Sequence, residues 1–421
     1  MIISNEAKQA KFDKQKQTML ETKERRKHQR PFVFELKIDY SHLNKEERET
    51  LKMFFVEAKW IYNHILSLED PFKYDSKSKI VKVLNKDKNI EERELKYLPA
   101  KNKQDVYRKL TWNIKGLHST KKFGKKTGKL KFKSEYNSIE LSQYGVTHKI
   151  TGRNRVKVNG IKRPLIVRGL DQIKSRYELA NARLVMKPSG YYLHLTCFEN
   201  ITSRNIPQTQ LQVKPNIGLD FGIKTSITTS DGDKYDISIR ESECLKRLSR
   251  KMNKQVKNSK NRYKTRMELR REYERISNRR MDKANKIVNK ILTQNQIVVM
   301  QDENIKGWHK GLFGKEVQNS ALGTIKSKLK QSKQIIIVDK WYPTTKKCYR
   351  CGNMVELTLN DRTYNCDKCG LTEDRDVKSA KTTLYAGLSS VNYVPVECRE
   401  STPVEMKPLL VVPDTMSKYC Q

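Results

Sequence analysis

The sequence predicts a multidomain α+β protein. A small β-domain is interrupted by a helical block, and a region of alternating strands and helices with a four-cysteine insert follows. Three observations carry this. Strand-like alternation lies on both sides of a helical stretch, at 32–42 and 118–205 around 43–117. From Ile217 onward, short apolar runs alternate with helical patterns. Two Cys-x-x-Cys pairs, Cys348/Cys351 and Cys366/Cys369, fall inside that second region.

The chain has 421 residues, enough for two to four domains. Its 87 Lys and Arg against 47 Asp and Glu leave a net charge of +40, which opposes compaction unless a polyanion neutralises it. Nucleic acid is the natural polyanion, with an anionic membrane surface as the other option. No apolar run approaches the roughly 20 residues of a membrane span, so no membrane partner is expected. The charged N-terminus predicts no secretory leader and hence an intracellular protein.

Residues 1–31 read as a basic, partly ordered arm that settles on nucleic acid. Phe32, Phe34, Leu36 and Ile38 then alternate as in a strand. Asn44 and Glu47 have the spacing of a capping box, and Leu51, Phe54, Phe55, Ala58, Ile61, Tyr62, Ile65 and Leu68 share one helical face. Residues 70–100 read as charged and irregular, and helical pattern returns over Gln104–Leu117. Lys121, Lys122, Lys125, Lys126 and Lys129, with Lys131 and Lys133 beyond, crowd two glycines in a candidate phosphate-tracking loop. Strands are expected at Leu130–Phe132, Ser138–Leu141, Arg155–Val158, Leu165–Val167, Ala182–Met186 and Tyr191–Phe198. A polar linker is expected over 199–212.

In the second region a helical stretch over 240–290 holds 19 Lys and Arg against 6 Asp and Glu. That density makes Arg262, Lys264, Arg266, Arg270 and Arg271 candidate nucleic-acid contacts. Cys348, Cys351, Cys366 and Cys369, each pair followed by glycine, match a structural zinc site with four thiolates and no open position. Cys197, Cys244, Cys398 and Cys420 lack such spacing and read as free thiols. His309 reads as a contact residue. The last 30 residues, rich in proline, read as an unstructured tail.

Three acids stand at element ends. Asp220 lies in the apolar run Ile217–Lys224 between Gly218 and Gly222, which would let a substrate backbone approach. Asp302 and Glu303 end the run that begins at Ile297; strand period puts Glu303 on the face of Gln301 and Asp302 on the other. Asp376 follows the cysteines at a helix start, where a capping role is the alternative. Together they read as a two-metal carboxylate site.

At these residues the chain resembles the TnpB family of transposon-encoded RNA-guided nucleases, related to compact type V CRISPR effectors. The likeness is most specific over 216–385. It implies a β-barrel wedge domain (32–42 and 118–205) interrupted by a helical recognition domain (43–117). A RuvC, RNase H-like nuclease domain (206–340 and 373–388) would follow, carrying a basic helical insertion (240–290) and a zinc ribbon (341–372), ahead of a tail at 389–421. By motif, Asp220 and Asp376 match the first and third RuvC acids. Where many members have Glu-Asp-Leu-Asn, this chain has Gln301-Asp302-Glu303-Asn304, and Glu303 is taken as the displaced second acid. Lys378 replaces a common asparagine, and Thr344-Thr345 replace paired serines. The implied activity is magnesium-dependent, RNA-guided cutting of double-stranded DNA beside a short motif. The implied partners are a guide RNA and target DNA, and a monomer in the prokaryotic cytoplasm at the nucleoid is expected. The alternatives are a nuclease-inactive RNA-guided repressor and a CRISPR effector.

Overall fold

The computed structural model describes residues 5–85, 89–200, 214–223, 225–332, 334–358 and 361–390. They fall into two units, drawn from Met1–Thr209 with Lys254–Glu274 and from Gln210–Asn253 with Arg275–Gln421.

In the first unit the basic N-terminal segment is a helix, α1 (Asn5–Lys27), rather than a partly ordered arm. Arg25 and Arg26 tie its C-terminal end down, both donating to the Glu178 carboxylate at 2.9 Å. Strand β1 (Gln29–Asp39) follows. Helix α2 (Lys45–Ser67) begins at the expected capping box: the Glu47 amide donates to Asn44 Oδ1 at 2.8 Å and the Asn44 amide to Glu47 Oε2 at 3.1 Å. Its apolar face from Leu51 to Ile65 is buried as the periodicity predicts. A hairpin, β2 (Ile80–Leu84) and β3 (Ile90–Glu94), occupies part of the segment expected to be irregular. Helix α3 (Ala100–Lys122) is longer than its apolar pattern.

The remaining strands of this unit are β4 (Ser138–Leu141), β5 (His148–Gly152), β6 (Arg155–Val158), β7 (Leu165–Val167), β8 (Glu178–Lys187) and β9 (Gly190–Asn200). All pair antiparallel in the order β4-β8-β9-β1-β7-β6-β5, a sheet curled into a half-barrel rather than a closed barrel. Strand β5 escapes the sequence reading because His148-Lys149-Ile150-Thr151-Gly152 has a single apolar residue. The strand expected at Leu130–Phe132 is absent. Asn63 of α2 instead exchanges two hydrogen bonds, 2.8 and 2.9 Å, with the backbone of Lys133, so a side chain satisfies that backbone where a ladder would have.

Glu57 is the polar exception in the α2 core. Its carboxyl is fully buried and accepts the amides of Lys96, Tyr97 and Leu98 at 2.7, 3.0 and 2.7 Å. Three converging N–H groups replace the water lost on burial. They also fix the turn that leads from the hairpin into α3.

In the second unit, β10 (Lys214–Phe221), β11 (Ile227–Thr229) and β12 (Lys234–Tyr235) precede two helices, α4 (Glu243–Lys254) and α5 (Lys260–Gln294). Then come β13 (Asn295–Gln301), α6 (Ile305–Lys310), α7 (Gly314–Asn319), α8 (Leu322–Leu329) and β14 (Ile335–Val338). A small hairpin, β15 (Thr363–Asn365) and β16 (Thr372–Asp374), leads into α9 (Arg375–Ser390). The main sheet runs β12-β11-β10-β13-β14, with β10, β13 and β14 parallel. The basic stretch is thus two helices, and α5 contributes to both units. The expected linker beyond Asn200 and the expected tail beyond Ser390 lie outside the described residues, as do Cys398 and Cys420. Among the described residues no helix is long and apolar enough to cross a membrane.

Replacing Glu57 with Gln sets an amide NH₂ where one carboxylate oxygen accepts the Tyr97 amide together with that of Lys96 or Leu98. Glu57→Gln is expected to cost about 2 kcal/mol, the scale of hydrogen bonds to a charged group. The check is the urea midpoint of the transition reporting the first unit; an unchanged midpoint would contradict this account of the turn.

Candidate metal and acid sites

Helix α9 lies on β10 because Gly218 has no side chain. A Cβ there would come within 2.1 Å of the Ala380 carbonyl oxygen and 2.8 Å of Leu384 Cβ. Gly387 does the same against Val299, where a Cβ would meet Cγ1 at 2.3 Å. This corrects the expectation that Gly218 clears space for a substrate: the protein's own helix fills that space.

The packing brings the first turns of α9 to the C-terminal ends of β10 and β13, the usual place for a site on parallel strands. The Ser379 hydroxyl donates to Asp220 Oδ1 at 2.9 Å. Asp376 is in the first turn, but it is not the cap. Asp374 takes that role, its Oδ1 accepting the amides of Asp376 and Val377 at 3.0 and 3.1 Å. The Asp376 carboxylate has a long contact to Arg375, 3.5 Å.

At the end of β13 the three neighbours diverge. Gln301 turns into the protein, donating through Nε2 to the carbonyls of Asp339, Lys340 and Tyr342 at 3.0, 3.2 and 2.7 Å. Asp302 pairs with Lys326 and Lys330, both at 2.7 Å, and these ammonium groups hold its carboxyl down at about 2. Glu303 lies past the strand: its amide bonds the Gln301 carbonyl at 2.9 Å in a tight turn, and its own carbonyl accepts Lys326 Nζ at 2.5 Å. Strand period therefore does not govern Glu303, and it does not share the surroundings of Gln301.

Around Asp220, burial and neighbouring charge act in the same direction. Burial pushes Asp220 up to about 8, and the charges of Glu303 and Asp376 push the same way, against the Ser379 hydrogen bond. Burial raises Glu303 to about 7, opposed by Lys326. A charged Glu303 disfavours the Asp220 carboxylate in addition to burial. Oxygen donors gathered with this mutual repulsion fit the chemistry of a hard divalent cation. The three carboxylates nevertheless stay more open than the four thiolates, whose ligand atoms all lie within 4.8 Å of one another.

Those thiolates belong to Cys348, Cys351, Cys366 and Cys369. The Cys348–Cys369 and Cys351–Cys366 sulfur separations are 3.7 and 3.5 Å, far beyond a disulfide bond. A tetrahedral zinc thiolate site with Zn–S of about 2.3 Å has sulfur edges of about 3.8 Å, so the cluster fits such an ion. Gly352 and Gly370, at φ 73° and 70°, make the left-handed turn that closes each knuckle, their amides returning to Cys348 and Cys366 carbonyls at 3.0 and 2.8 Å. Although burial opposes ionisation, backbone amides of Cys369 and Lys368 hold the Cys366 thiol down at about 6. Cys197 is buried in β9 and Cys244 is half-buried, both as free thiols.

Of the basic candidates, Lys121, Lys122, Lys125, Lys126, Lys129, Lys264, Arg266 and Arg271 are exposed. Arg270 is spent on Glu135 at 2.8 Å, Arg271 donates to the Pro188 carbonyl at 3.2 Å, and Arg262 donates to the Gln255 carbonyl at 2.8 Å.

Two family models match the chain. One, described as "Probable transposase", covers residues 197–310 and takes in Asp220 and Glu303. The other, described as "Cas12f1-like, TNB domain", covers 322–383 and takes in the four cysteines and Asp376. A Streptomyces pristinaespiralis protein described as "Putative RNA-guided DNA endonuclease" is 29% identical over 280 residues, covering 64% of this chain and 68% of that protein. The "Putative RNA-guided DNA endonuclease InsQ" of Escherichia coli K12 is 26% identical over 198 residues, covering 41% and 48%. Among solved structures, a Cas12f1–sgRNA–target DNA complex aligns at a TM-score of 0.38 and 17% identity, covering 67% of this chain and 70% of that one.

If the thiolates hold a zinc ion, Cys366→Ser is expected to release it and to unfold the segment around β15 and β16, because such a site folds on its metal. Metal analysis checks it, and full retention would refute the site. A second expectation follows from Asp220. Its carboxyl keeps a proton to about pH 8 when folded but only to about 3.9 when unfolded. The folded chain binds more protons between those values, so this group favours folding at low pH and its contribution is lost as pH rises toward 8. Without added divalent cation, Asp220→Asn should raise the melting temperature at pH 8.5 and leave it unchanged at pH 3.5. An equal effect at both would show that Asp220 does not titrate in this way.

Proposed function

Because the chain belongs to the TnpB and Cas12f-like family of RNA-guided nucleases, we propose that it is the RNA-guided DNA endonuclease of a transposon. The carrying observation is the hydrogen bond from Ser379 to Asp220 Oδ1, which sets the acid of β10 against the first turns of α9, the helix that carries Asp376. On this reading the half-barrel is the wedge domain, the α2–α3 block with its hairpin is the recognition domain, and the β10–β14 sheet with α9 is the RuvC nuclease domain. The cysteines hold structural zinc in a ribbon.

Asp220, Glu303 and Asp376 would hold magnesium, which when bound supplies positive charge for the attacking and leaving oxygens of a phosphodiester. The chain's own contributions are orientation and charge placement. Ser379 fixes the Asp220 carboxylate. Asp374 caps α9 and so leaves Asp376 free of that duty. Lys326 holds the backbone of Glu303 and takes the charge of Asp302 out of the site. The exposed lysines of 121–129, with Lys264 and Arg266, offer phosphate contacts to guide RNA and target DNA. Such contacts orient nucleic acid while base pairing with the guide selects sequence.

A second reading, a nuclease-inactive RNA-guided DNA-binding protein, is favoured by one observation. Gln301 stands where the family usually has its second acid, and its amide is fully engaged elsewhere.

Alanine variants decide between the two. Asp220→Ala, Glu303→Ala and Asp376→Ala should each lower cutting by more than about 100-fold, beyond the usual loss from an outer-shell change, with target binding intact. Asp302→Ala should act mainly on stability, through Lys326 and Lys330. Cutting at the wild-type rate by Glu303→Ala would remove Glu303 from the site. A wild-type complex that binds target with magnesium and never cuts would establish the second reading.

A further inference from the structure

Two buried side chains hold the same stretch of backbone from opposite ends. Gln301, at the close of β13, donates to the carbonyls of Asp339, Lys340 and Tyr342, and its Oε1 accepts the Thr344 hydroxyl at 3.0 Å. Lys378, in α9, sends its ammonium to the carbonyls of Thr344, Thr345 and Lys347 at 3.0, 2.5 and 2.8 Å. The same ammonium sits 3.8 Å above the Tyr364 ring. Gln301, Thr344 and Lys378 are 7%, 4% and 0% exposed.

The donor inventory explains why these residue types are present. An ammonium has three protons, and each finds a carbonyl. The Gln301 amide has two protons shared among three carbonyls and one oxygen that meets a hydroxyl. A glutamate at 301 would set a carboxylate against three carbonyl oxygens with nothing to donate. A residue without a donor at 378 would take the ammonium from the carbonyls of Thr344, Thr345 and Lys347, of which Lys347 alone keeps a second donor, the Thr382 hydroxyl at 3.3 Å. Both residues therefore answer to the 339–347 segment and not to a bound ion.

Their positions give the segment leverage on the acids. Glu303 is two residues beyond Gln301. Asp376 is two residues before Lys378, and Ser379, which orients Asp220, is the residue after it. We propose that Gln301, Thr344 and Lys378 are positioning residues, a clamp that fixes segment 339–347 between the ends of β13 and α9 and thereby sets the spacing of Glu303 and Asp376. The clamp rests on the reading of those acids as the metal-binding set. It makes Gln301 a structural requirement of the site, not a lost ligand.

The test uses the full chain with its co-purified RNA and target DNA. Thr344→Val removes the hydroxyl that Gln301 accepts, Thr344→Ser keeps it, and Gln301→Glu reverses the polarity. Four quantities are read: amide exchange over 339–347, zinc content, target affinity, and the magnesium concentration at half-maximal cutting. Thr344→Val and Gln301→Glu should speed exchange in the segment and raise the magnesium requirement about tenfold, the low end of an outer-shell loss. Zinc content and target affinity should hold, and Thr344→Ser should match the wild type. Unchanged exchange in both Thr344→Val and Gln301→Glu would overturn the clamp. So would faster cutting by Gln301→Glu, which would make position 301 a metal ligand. A wild type that never cuts overturns the catalytic reading instead, and exchange over 339–347 then decides the clamp by itself.

Discussion

The close approach of α9 to β10 is the contact on which the second unit depends. It exists only because position 218 has no side chain, so that the Ala380 carbonyl can sit where a Cβ would be. One turn of that helix then does three different things. Asp376 adds its charge to the surroundings of Asp220, Lys378 runs into the protein to hold carbonyls, and Ser379 donates to Asp220. Helical geometry separates these directions by about 100° per residue, so adjacent residues serve unrelated neighbours. Any shift of the helix along the strand would break all three arrangements together.

Burying carboxylates is unfavourable, and burial is the main cause that raises Asp220 and Glu303, with neighbouring negative charge adding to it at Asp220. The protein limits it by diverting the third neighbour. Asp302 is drawn to Lys326 and Lys330 and stays ionised. The thiolate cluster beside Tyr364 is handled by the same means. Its knuckle amides stabilise anionic sulfur, and Lys378 is buried between the cluster's aromatic neighbour and the carbonyls of 344–347. Charge is thus compensated locally at each site and not by the chain's large positive excess.

Short-range features were legible in the sequence. The Asn44–Glu47 capping box, the α2 apolar face and the Cys-x-x-Cys spacing involve residues within a few turns of each other, and periodicity or ligand chemistry reveals them. The features that escaped are long-range. Glu57 looks like a solvent-facing residue on a helix, and only the distant amides of 96–98 make it a buried anchor. Strand period, the ground on which Glu303 stands out in the sequence, does not reach it: the strand stops at Gln301, and a turn delivers the next residues. The role of Gln301 was unreadable because its partners lie some 40 positions downstream, in a segment with no regular structure. Gly218 was legible as a close-approach position, but the sequence did not say that the approaching group is the chain's own helix.

An RNA-guided nuclease built on these acids would cut only where its RNA pairs. That is measured by purifying the protein with the RNA it carries, sequencing that RNA, and incubating the complex with magnesium and a DNA library with randomised flanks. Cut products are expected at sites complementary to one segment of the bound RNA, all beside a single short flanking motif. Cutting indifferent to the RNA sequence, or bound target recovered whole, would contradict it.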